Sequence, residues 1–227
     1  MADWSEESGV TPFVWSLCGI VIVAVAVVLR LYQLDLKPLH HDEGVNGLFM
    51  MSLVQPPYTF TYNPADYHGP TLYYLTAPAI FGLGATTFAI RLIPALCGIA
   101  TVLLPFVLRR WIGAVGALTA AALIAVSPGA VYFSRYFIHE ALLVFFTFAA
   151  VVAAWHYIDR GRVLLLLLAS ASAAMMFATK ETWIVAAGVM AIAGAMTALL
   201  PLARQAWSPG SATAEGEGAA LTPPLGR

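Results

Sequence analysis

Six long apolar runs dominate this sequence, and each is about sixteen to twenty residues in length. A helix of about 20 residues crosses the roughly 30 Å hydrocarbon core of a bilayer, where every backbone polar group must be paired within the protein. The runs therefore predict an all-α integral membrane protein with about six transmembrane helices. They lie at residues 13–31, 90–108, 114–133, 141–158, 163–178 and 183–202.

The composition limits what the chain can bind. Of its residues, 60% are hydrophobic and 10% are charged, and the formal net charge is −1. A chain this apolar needs the lipid bilayer as a partner, and it lacks the Lys/Arg-rich runs with which proteins bind nucleic acid. Residues 1–12 contain acids but no Lys or Arg, so we expect the first run to remain as an uncleaved span.

Between the first two runs lies a segment of mixed polarity, residues 32–87, which we expect to form a long outer loop on the membrane surface. Two stretches within it have helical character, residues 43–53 and residues 71–83. The second contains Pro78 and is short for a span, so an interfacial or re-entrant helix is favoured. If residues 71–83 did cross the membrane, the sides of all later segments would be exchanged.

Six spans place the charged residues in two groups on opposite sides of the membrane. The short turns at residues 109–110 and 159–162 are rich in Arg, and the positive-inside rule assigns such turns to the cytoplasm. Residues 1–12 then form a cytoplasmic tail and residues 13–207 a transmembrane module in the plasma membrane. Residues 208–227, rich in Gly, Ala, Pro and Thr, are expected to form a disordered tail.

The most informative polar stretch is His40-His41-Asp42-Glu43-Gly44, which closely follows the first apolar run. Ionised groups beside a span cost about 2.5 to 3.5 kcal/mol each on insertion scales, so such clusters are candidate functional sites. One alternative is structural, with Asp42 as the N-cap of the helix that follows. Capping would explain one carboxylate and leave Glu43 and two histidines without a role.

Acidic and basic side chains converge on the outer side in this topology. We interpret Asp42, Glu43 and Glu140 as candidate catalytic carboxylates, since a carboxylate near lipid can accept a proton from a substrate hydroxyl. Cations on the same side suit the phosphate of a lipid whose chain lies in the bilayer. The candidate phosphate-binding residues are Arg91, Arg135, His139 and Lys180. The alternative for Arg135 and Lys180 is that they only snorkel to the interface at helix ends.

The outer loop also contains nitrogen and oxygen ligands for a metal. His41 and Asp66 are the candidate ligands, together with other His, Asp and Glu side chains of the loop, although the spacing matches no defined metal motif. A bound divalent metal is therefore one hypothesis, and no other cofactor is indicated. The tyrosines of the loop are interpreted as an interfacial aromatic belt, with a sugar-stacking platform as the alternative.

Several stretches, taken in order, resemble a known family. The acidic pair is followed by Tyr67-His68-Gly69-Pro70, then by Phe88-Ala89-Ile90-Arg91, Ser134-Arg135-Tyr136 and Thr179-Lys180-Glu181. Over roughly residues 13–200 the chain resembles the N-terminal part of GT-C fold membrane glycosyltransferases of the protein mannosyltransferase and aminoarabinose transferase type (family 39). The acidic pair and the stretch at 67–70 are most similar to prokaryotic proteins labelled as flippase-activity-associated.

The resemblance implies that Asp42 is the catalytic carboxylate, with Glu43 beside it and Glu140 as a second acid. It also implies a polyprenyl-phosphate-linked sugar donor, an inverting transfer to an acceptor hydroxyl, and an active site outside the cytoplasm. Aminoarabinose transferases have a Lys where this chain has Gly69, so another residue must contact the phosphate, and His68 is the candidate. Family members continue through further spans; a companion chain that supplies them is an expected partner, without which this chain could be inactive.

Two functions from different classes follow. The first is a glycosyltransferase, or its N-terminal catalytic module. The second is a non-enzymatic membrane component that helps to present or flip polyprenyl-linked glycans, and it differs in that Asp42 need not accept a proton. A transporter is disfavoured because its site is expected near the bilayer midplane, whereas these acids lie at one interface.

Overall fold

A computed structural model of the protein describes residues 10–58 and 68–207, and the regular secondary structure in these two ranges is entirely helical. Asp66 and the predicted disordered tail lie outside the described residues. The chain divides into two units, Met1–Trp183 and Ile184–Arg227. The described helices are α1 Pro12–Leu31, α2 His41–Val54, α3 Thr71–Leu83, α4 Thr87–Val107, α5 Arg109–Val126, α6 Pro128–Ser134, α7 Glu140–Arg160, α8 Val163–Thr179 and α9 Trp183–Trp207.

Five of these helices are long and apolar enough to cross a membrane: α1, α4, α5, α7 and the Trp183–Leu200 part of α9. The remaining predicted span, residues 163–178, corresponds to α8, which has 17 residues and no charged side chain. At 1.5 Å per residue α8 is about 25 Å long, at the short end of the range for a span. The prediction of an all-α membrane protein is confirmed, with five helices that meet the length of a span and α8 slightly shorter.

The two short helices expected in the outer loop are α2 and α3. Helix α3 has the predicted bounds, whereas α2 begins earlier than predicted, at His41. His40 is therefore the N-cap residue, and its backbone N–H donates to the Glu43 carboxylate at 3.1 Å. The alternative that Asp42 is the N-cap is wrong, because Asp42 lies within the first turn of α2.

The span predicted at residues 114–133 is interrupted, and Pro128 is the reason. Proline has no backbone N–H, so α5 ends before it and the short α6 begins at it. The carbonyl of Ile124, four residues earlier, is left without its helical donor. That carbonyl and the carbonyl of Ala125 instead accept hydrogen bonds from the buried Arg30 side chain, each at 3.1 Å.

Two arginines tie α1 to the region of α5 and α6. Arg30, near the end of α1, donates to the last carbonyls of α5, while Arg135, just after α6, donates to carbonyls at the end of α1. The last carbonyls of a helix are unpaired and carry partial negative charge. Arg30 therefore offsets the partial negative charge at the end of α5, and Arg135 offsets that at the end of α1. These bonds fix the position of the residues that follow α6.

Small residues form the packed face of α5. Its buried positions are all alanine, whereas Val115, Leu123 and Val126 on its other side are exposed, as suits contact with lipid. In a bilayer, small residues allow helix backbones to approach closely and gain van der Waals contact. The buried alanines are Ala114, Ala117, Ala121 and Ala125, and this face packs on α1 and α4.

The charged residues of the first unit lie at its two ends. At one end Arg110 pairs with Asp159 at 2.6 Å, and Arg109 lies over the Trp15 ring at 4.2 Å. The starts of α4 and α7, the end of α8 and the whole of α2 meet at the other end. An apolar cluster that includes Met50, Leu72 and Phe137 packs beneath this second end.

Candidate active site

A cavity of about 1220 Å³ lies between α2, α3, the segment before α7 and the end of α8. Six of the predicted site residues line this cavity, and Glu43, Arg91 and Arg135 do not. The six are His41, Asp42, His68, His139, Glu140 and Lys180. Residues separated by more than a hundred positions are thus brought together at one end of the bundle.

Asp42 is an accessible carboxylate of this cavity. Its side chain is 68% exposed, and its contact is a long one of 3.4 Å with the ring of His41. It lies in the first turn of α2 and lines the cavity. Its oxygens are therefore open to the cavity and available to a substrate.

Glu43, the next residue, is completely buried. Its two carboxylate oxygens accept from Arg91 at 2.7 Å each, from the backbone N–H of Phe137 at 2.9 Å and from that of His40 at 3.1 Å. Burial raises the pKa of Glu43, but the hydrogen bonds from Arg91 and the backbone together lower it below its ordinary value. The Glu43 carboxylate is thus ionised, fully engaged and turned away from the cavity.

Arg91 is the partner that completes this buried pair. All five of its N–H groups are used, two on Glu43 and three on the carbonyls of Leu34, Lys37 and Pro38. The geometry does not support the prediction that Arg91 binds phosphate, because it has no donor left. Arg91 instead fastens the start of α2 to the turn that follows α1.

Arg135 has a partly similar role. Its side chain donates to the carbonyls of Leu29, Tyr32 and Gln33 at 2.8, 2.9 and 2.9 Å. These three bonds leave two of its five N–H groups without a partner in the described part of the chain. Arg135 therefore does more than extend its charge to the membrane interface, because it binds the carbonyls at the end of α1. It also borders a smaller cavity beside the first one.

Glu140 and Lys180 form an ion pair that lines the main cavity. Glu140 is the first residue of α7 and Lys180 follows α8, so the pair joins the adjacent ends of two antiparallel helices. Their side chains are 36% and 17% exposed, respectively. Both groups are accessible to a ligand, although each one already offsets the charge of the other.

Two histidines that differ in exposure line the same cavity. His68 lies 2.9 Å from Glu181 and is partly exposed, whereas His139 is buried. The His139 Nε2–H donates to the Gly69 carbonyl at 3.0 Å, and its buried Nδ1 has no partner in the described structure. Burial, with a smaller effect of His68, lowers the pKa of His139 to about 4. His139 is therefore neutral near pH 7, which does not support its prediction as a phosphate-binding cation.

The metal hypothesis has no further support in the described part of the chain. No group of three or more His, Cys, Asp or Glu side chains there is arranged to hold an ion. His41 contacts Asp42, and the other candidate ligand, Asp66, is not among the described residues. The metal site thus stays a prediction.

Sequence reasoning missed several residues that shape the cavity. Asn46 donates to the Phe137 carbonyl at 3.0 Å and accepts from the Tyr73 hydroxyl at 2.8 Å, which ties α2 to α3 and to the segment before α7. The signal for Asn46 was its position three residues after Glu43, on the same helical face. Tyr132 and Tyr136, whose rings stack at 5.4 Å, form one wall, and nothing in their spacing predicted this.

A family model described as Dolichyl-phosphate-mannose-protein mannosyltransferase matches residues 67–209, which is more than half of the chain. The match includes His68, Arg91, Arg135, His139, Glu140 and Lys180, and it begins after Asp42 and Glu43. No curated protein and no solved structure matches the chain.

Proposed function

Because the chain belongs to the dolichyl-phosphate-mannose-protein mannosyltransferase family, we propose that it transfers a sugar from a polyprenyl-phosphate-linked donor to an acceptor hydroxyl, with Asp42 as the general base. The family supports membrane glycosyltransferase activity in general terms, and the donor, the acceptor and the residue roles are the proposal. One observation carries it. An exposed carboxylate borders a cavity of about 1220 Å³ and is held there by a buried ion pair on the adjacent residue.

The reaction is a single displacement at the anomeric carbon. The acceptor oxygen attacks this carbon, its proton moves to the Asp42 carboxylate, and the bond from the carbon to the phosphate oxygen breaks. The bonding electron pair leaves on the phosphate, and attack from the opposite side inverts the anomeric configuration. A well-placed general base contributes about 10²–10⁴-fold to such a step.

The remaining predicted site residues have supporting roles in this proposal. Glu43 positions Asp42, because its four hydrogen bonds fix the first turn of α2 and leave no lone pair directed at a substrate. Glu140 and Lys180 could exchange their mutual contact for hydroxyl or phosphate groups of the substrates when these bind. His68 is the other candidate contact for a phosphate. In this proposal the active site faces the side of the membrane away from the cytoplasm.

The test is transfer of sugar from polyprenyl-phosphate-linked mannose by the full chain in membranes that contain its native partners. Asp42→Asn retains the shape of the side chain but removes the charge, so we expect a loss of about 10²-fold or more with donor binding unchanged. Asp35→Asn is the matched control, since Asp35 is also exposed and lines neither described cavity. Full transfer by Asp42→Asn would instead favour the non-enzymatic component that presents or flips glycans.

A further inference from the structure

The charged side chains that line the main cavity are not balanced. The carboxylates of Asp42, Glu140 and Glu181 line it, against one permanent cation among the described residues, Lys180. Because Lys180 pairs with Glu140, the acids in excess are Asp42 and Glu181. Field lines from like charges add inside a cavity, so this cavity attracts a positively charged ligand and repels an anion.

Glu181 is the acid of this lining that the proposed reaction does not use. It follows α8, its side chain is 64% exposed, and it accepts a hydrogen bond from the His68 ring at 2.9 Å. Burial raises the pKa of Glu181, but hydrogen bonds from its own backbone N–H and from His68 lower it below its ordinary value. Glu181 is therefore an ionised carboxylate that a ligand in the cavity can reach.

Two aromatic rings flank Glu181 in the chain and line the same cavity. Phe177 lies in the last turn of α8 and is exposed, and Trp183 is the first residue of α9. Their ring centroids are 5.4 Å apart, with the rings nearly perpendicular. Aromatic rings attract ammonium groups within about 6 Å of the ring centroid, most strongly in the case of Trp. Rings next to a carboxylate therefore suit a protonated amine.

His139 supplies an independent indication of the ligand. It lines the cavity, is 1% exposed, and its Nδ1 has no partner within the described residues. Because Nε2–H donates to the Gly69 carbonyl, Nδ1 of the neutral ring carries a lone pair, which only a hydrogen-bond donor can satisfy. The His139 and His68 ring centroids are 5.1 Å apart, so this acceptor lies next to the pair of His68 with Glu181. An ammonium group offers three N–H donors, whereas a carboxylate or an ionised phosphate offers none.

We propose that Glu181, Phe177, Trp183 and His139 bind a protonated amine of the acceptor, which makes the acceptor an amino alcohol whose hydroxyl group reaches Asp42. The inference rests on the proposed function, because it names the class of acceptor for that reaction. No bond to the amine forms or breaks. Its nitrogen has no lone pair while it is protonated, so it cannot replace the hydroxyl oxygen as the nucleophile.

The test measures binding of ethanolamine to the full chain in nanodiscs of phosphatidylcholine, by saturation-transfer NMR and without a transfer reaction. N-acetylethanolamine is the matched probe, since it retains the hydroxyl group and lacks the charge. We expect the parent chain to bind ethanolamine about tenfold more tightly than the neutral probe, and Glu181→Gln to reduce this preference to about twofold or less. Asp35→Asn is the control, because it removes an exposed acid that lines neither cavity, and it should keep the preference.

Equal binding of the two probes by the parent chain would overturn the assignment. Loss of the preference in Asp42→Asn but not in Glu181→Gln would also overturn it, because the ammonium group would then lie at the proposed base. Phe177→Leu keeps an apolar side chain without the ring, and an unchanged preference in this variant would contradict the role of the rings. A parent chain that prefers ethanolamine but transfers no sugar would contradict the proposed function and leave the amine site in place.

Discussion

Asp42 and Glu43 are adjacent in the sequence, yet their carboxylates have opposite surroundings. Position along the helix decides this, because Glu43 faces inward to Arg91 and Phe137 while Asp42 faces the cavity. A carboxylate with four hydrogen bonds and a buried cation is stabilised in its ionised form and is a poor proton acceptor. Asp42 is exposed and lines the cavity, which supports the proposed division of the pair into a base and a residue that positions it.

Glu43→Gln should cost stability, because it leaves the Arg91 charge buried without its counter-charge. Removal of one partner from a buried ion pair typically destabilises a protein by about 3–5 kcal/mol, and thermal unfolding in detergent would measure the loss. Glu140→Gln breaks a more exposed pair and is the comparison, with an expected cost below about 1 kcal/mol. If Glu43→Gln unfolded at the parental temperature yet failed to transfer sugar, Glu43 would have a chemical role.

His139 should make stability depend on pH. Its pKa in the folded protein is about 4, below the value of about 6.5 for an unperturbed histidine, so the unfolded chain binds the proton more readily. The stability due to its neutral form is fully present above about pH 6.5 and falls as the pH drops toward 4, by about 3 kcal/mol in total. His139→Gln should flatten the unfolding free energy across that window.

His41→Gln serves as the matched control for this measurement, because the His41 side chain is 82% exposed whereas that of His139 is buried. A profile of His139→Gln as steep as that of the parent would assign the pH dependence to other groups, with the carboxylates of Glu43 and Glu181 next to be tested.

Part of the site could be predicted from the sequence, and there is a physical reason why the rest could not. The alternation of spans brought Asp42, Glu140 and Lys180 to one end of the bundle, because it needs only the order of apolar runs. Neither the pairing of Glu43 with Arg91 nor the carbonyl contacts of Arg135 could be obtained in this way. Both depend on the rotation of helices about their own axes and on backbone groups left free at helix ends, which charge and spacing alone do not encode.

Helix boundaries were predicted correctly where a local signal was strong. The bounds of α3 follow from a short apolar stretch that ends at Gly84, where φ is 80° and a side chain would be strained. The break between α5 and α6 was missed, because Pro128 lies inside an otherwise continuous apolar run. Its effect depends on Arg30, which pairs with the carbonyls that the break exposes.

Gly98 tests the close packing that this break creates. A Cβ added there would lie 2.4 Å from the Ser134 Cβ and 2.9 Å from the Arg30 Nε, so α4 or its neighbours would have to move. We expect Gly98→Ala to lower the free energy of unfolding by about 1–3 kcal/mol. Gly47→Ala in α2 meets no atom within 4 Å and should instead raise it by about 0.5–1 kcal/mol. Equal effects of the two changes would mean that α4 is not packed this closely.

The arginines of the first unit indicate which of its two ends faces the cytoplasm. One end contains Arg109, Arg110, Arg160 and Arg162 in short turns, and the positive-inside rule assigns such an end to the cytoplasm. The candidate site lies at the other end, with Asp42 and its cavity. A donor whose phosphate lies at the membrane surface could reach this end from the outer leaflet without crossing the bilayer.

Cysteine labelling in intact cells tests this orientation. In a chain whose Cys18 and Cys97 are replaced by Ala, we expect Asp42→Cys to react with an impermeant maleimide added outside. We expect Arg162→Cys to react only after the membrane is opened, because its turn lies at the Arg-rich end. The reverse pattern would place the acidic cavity inside the cell and require a donor in the inner leaflet. Labelling of both positions from outside would mean that α7 does not cross the bilayer, since residue 162 follows the end of α7 and Asp42 shares a cavity with Glu140, the first residue of α7.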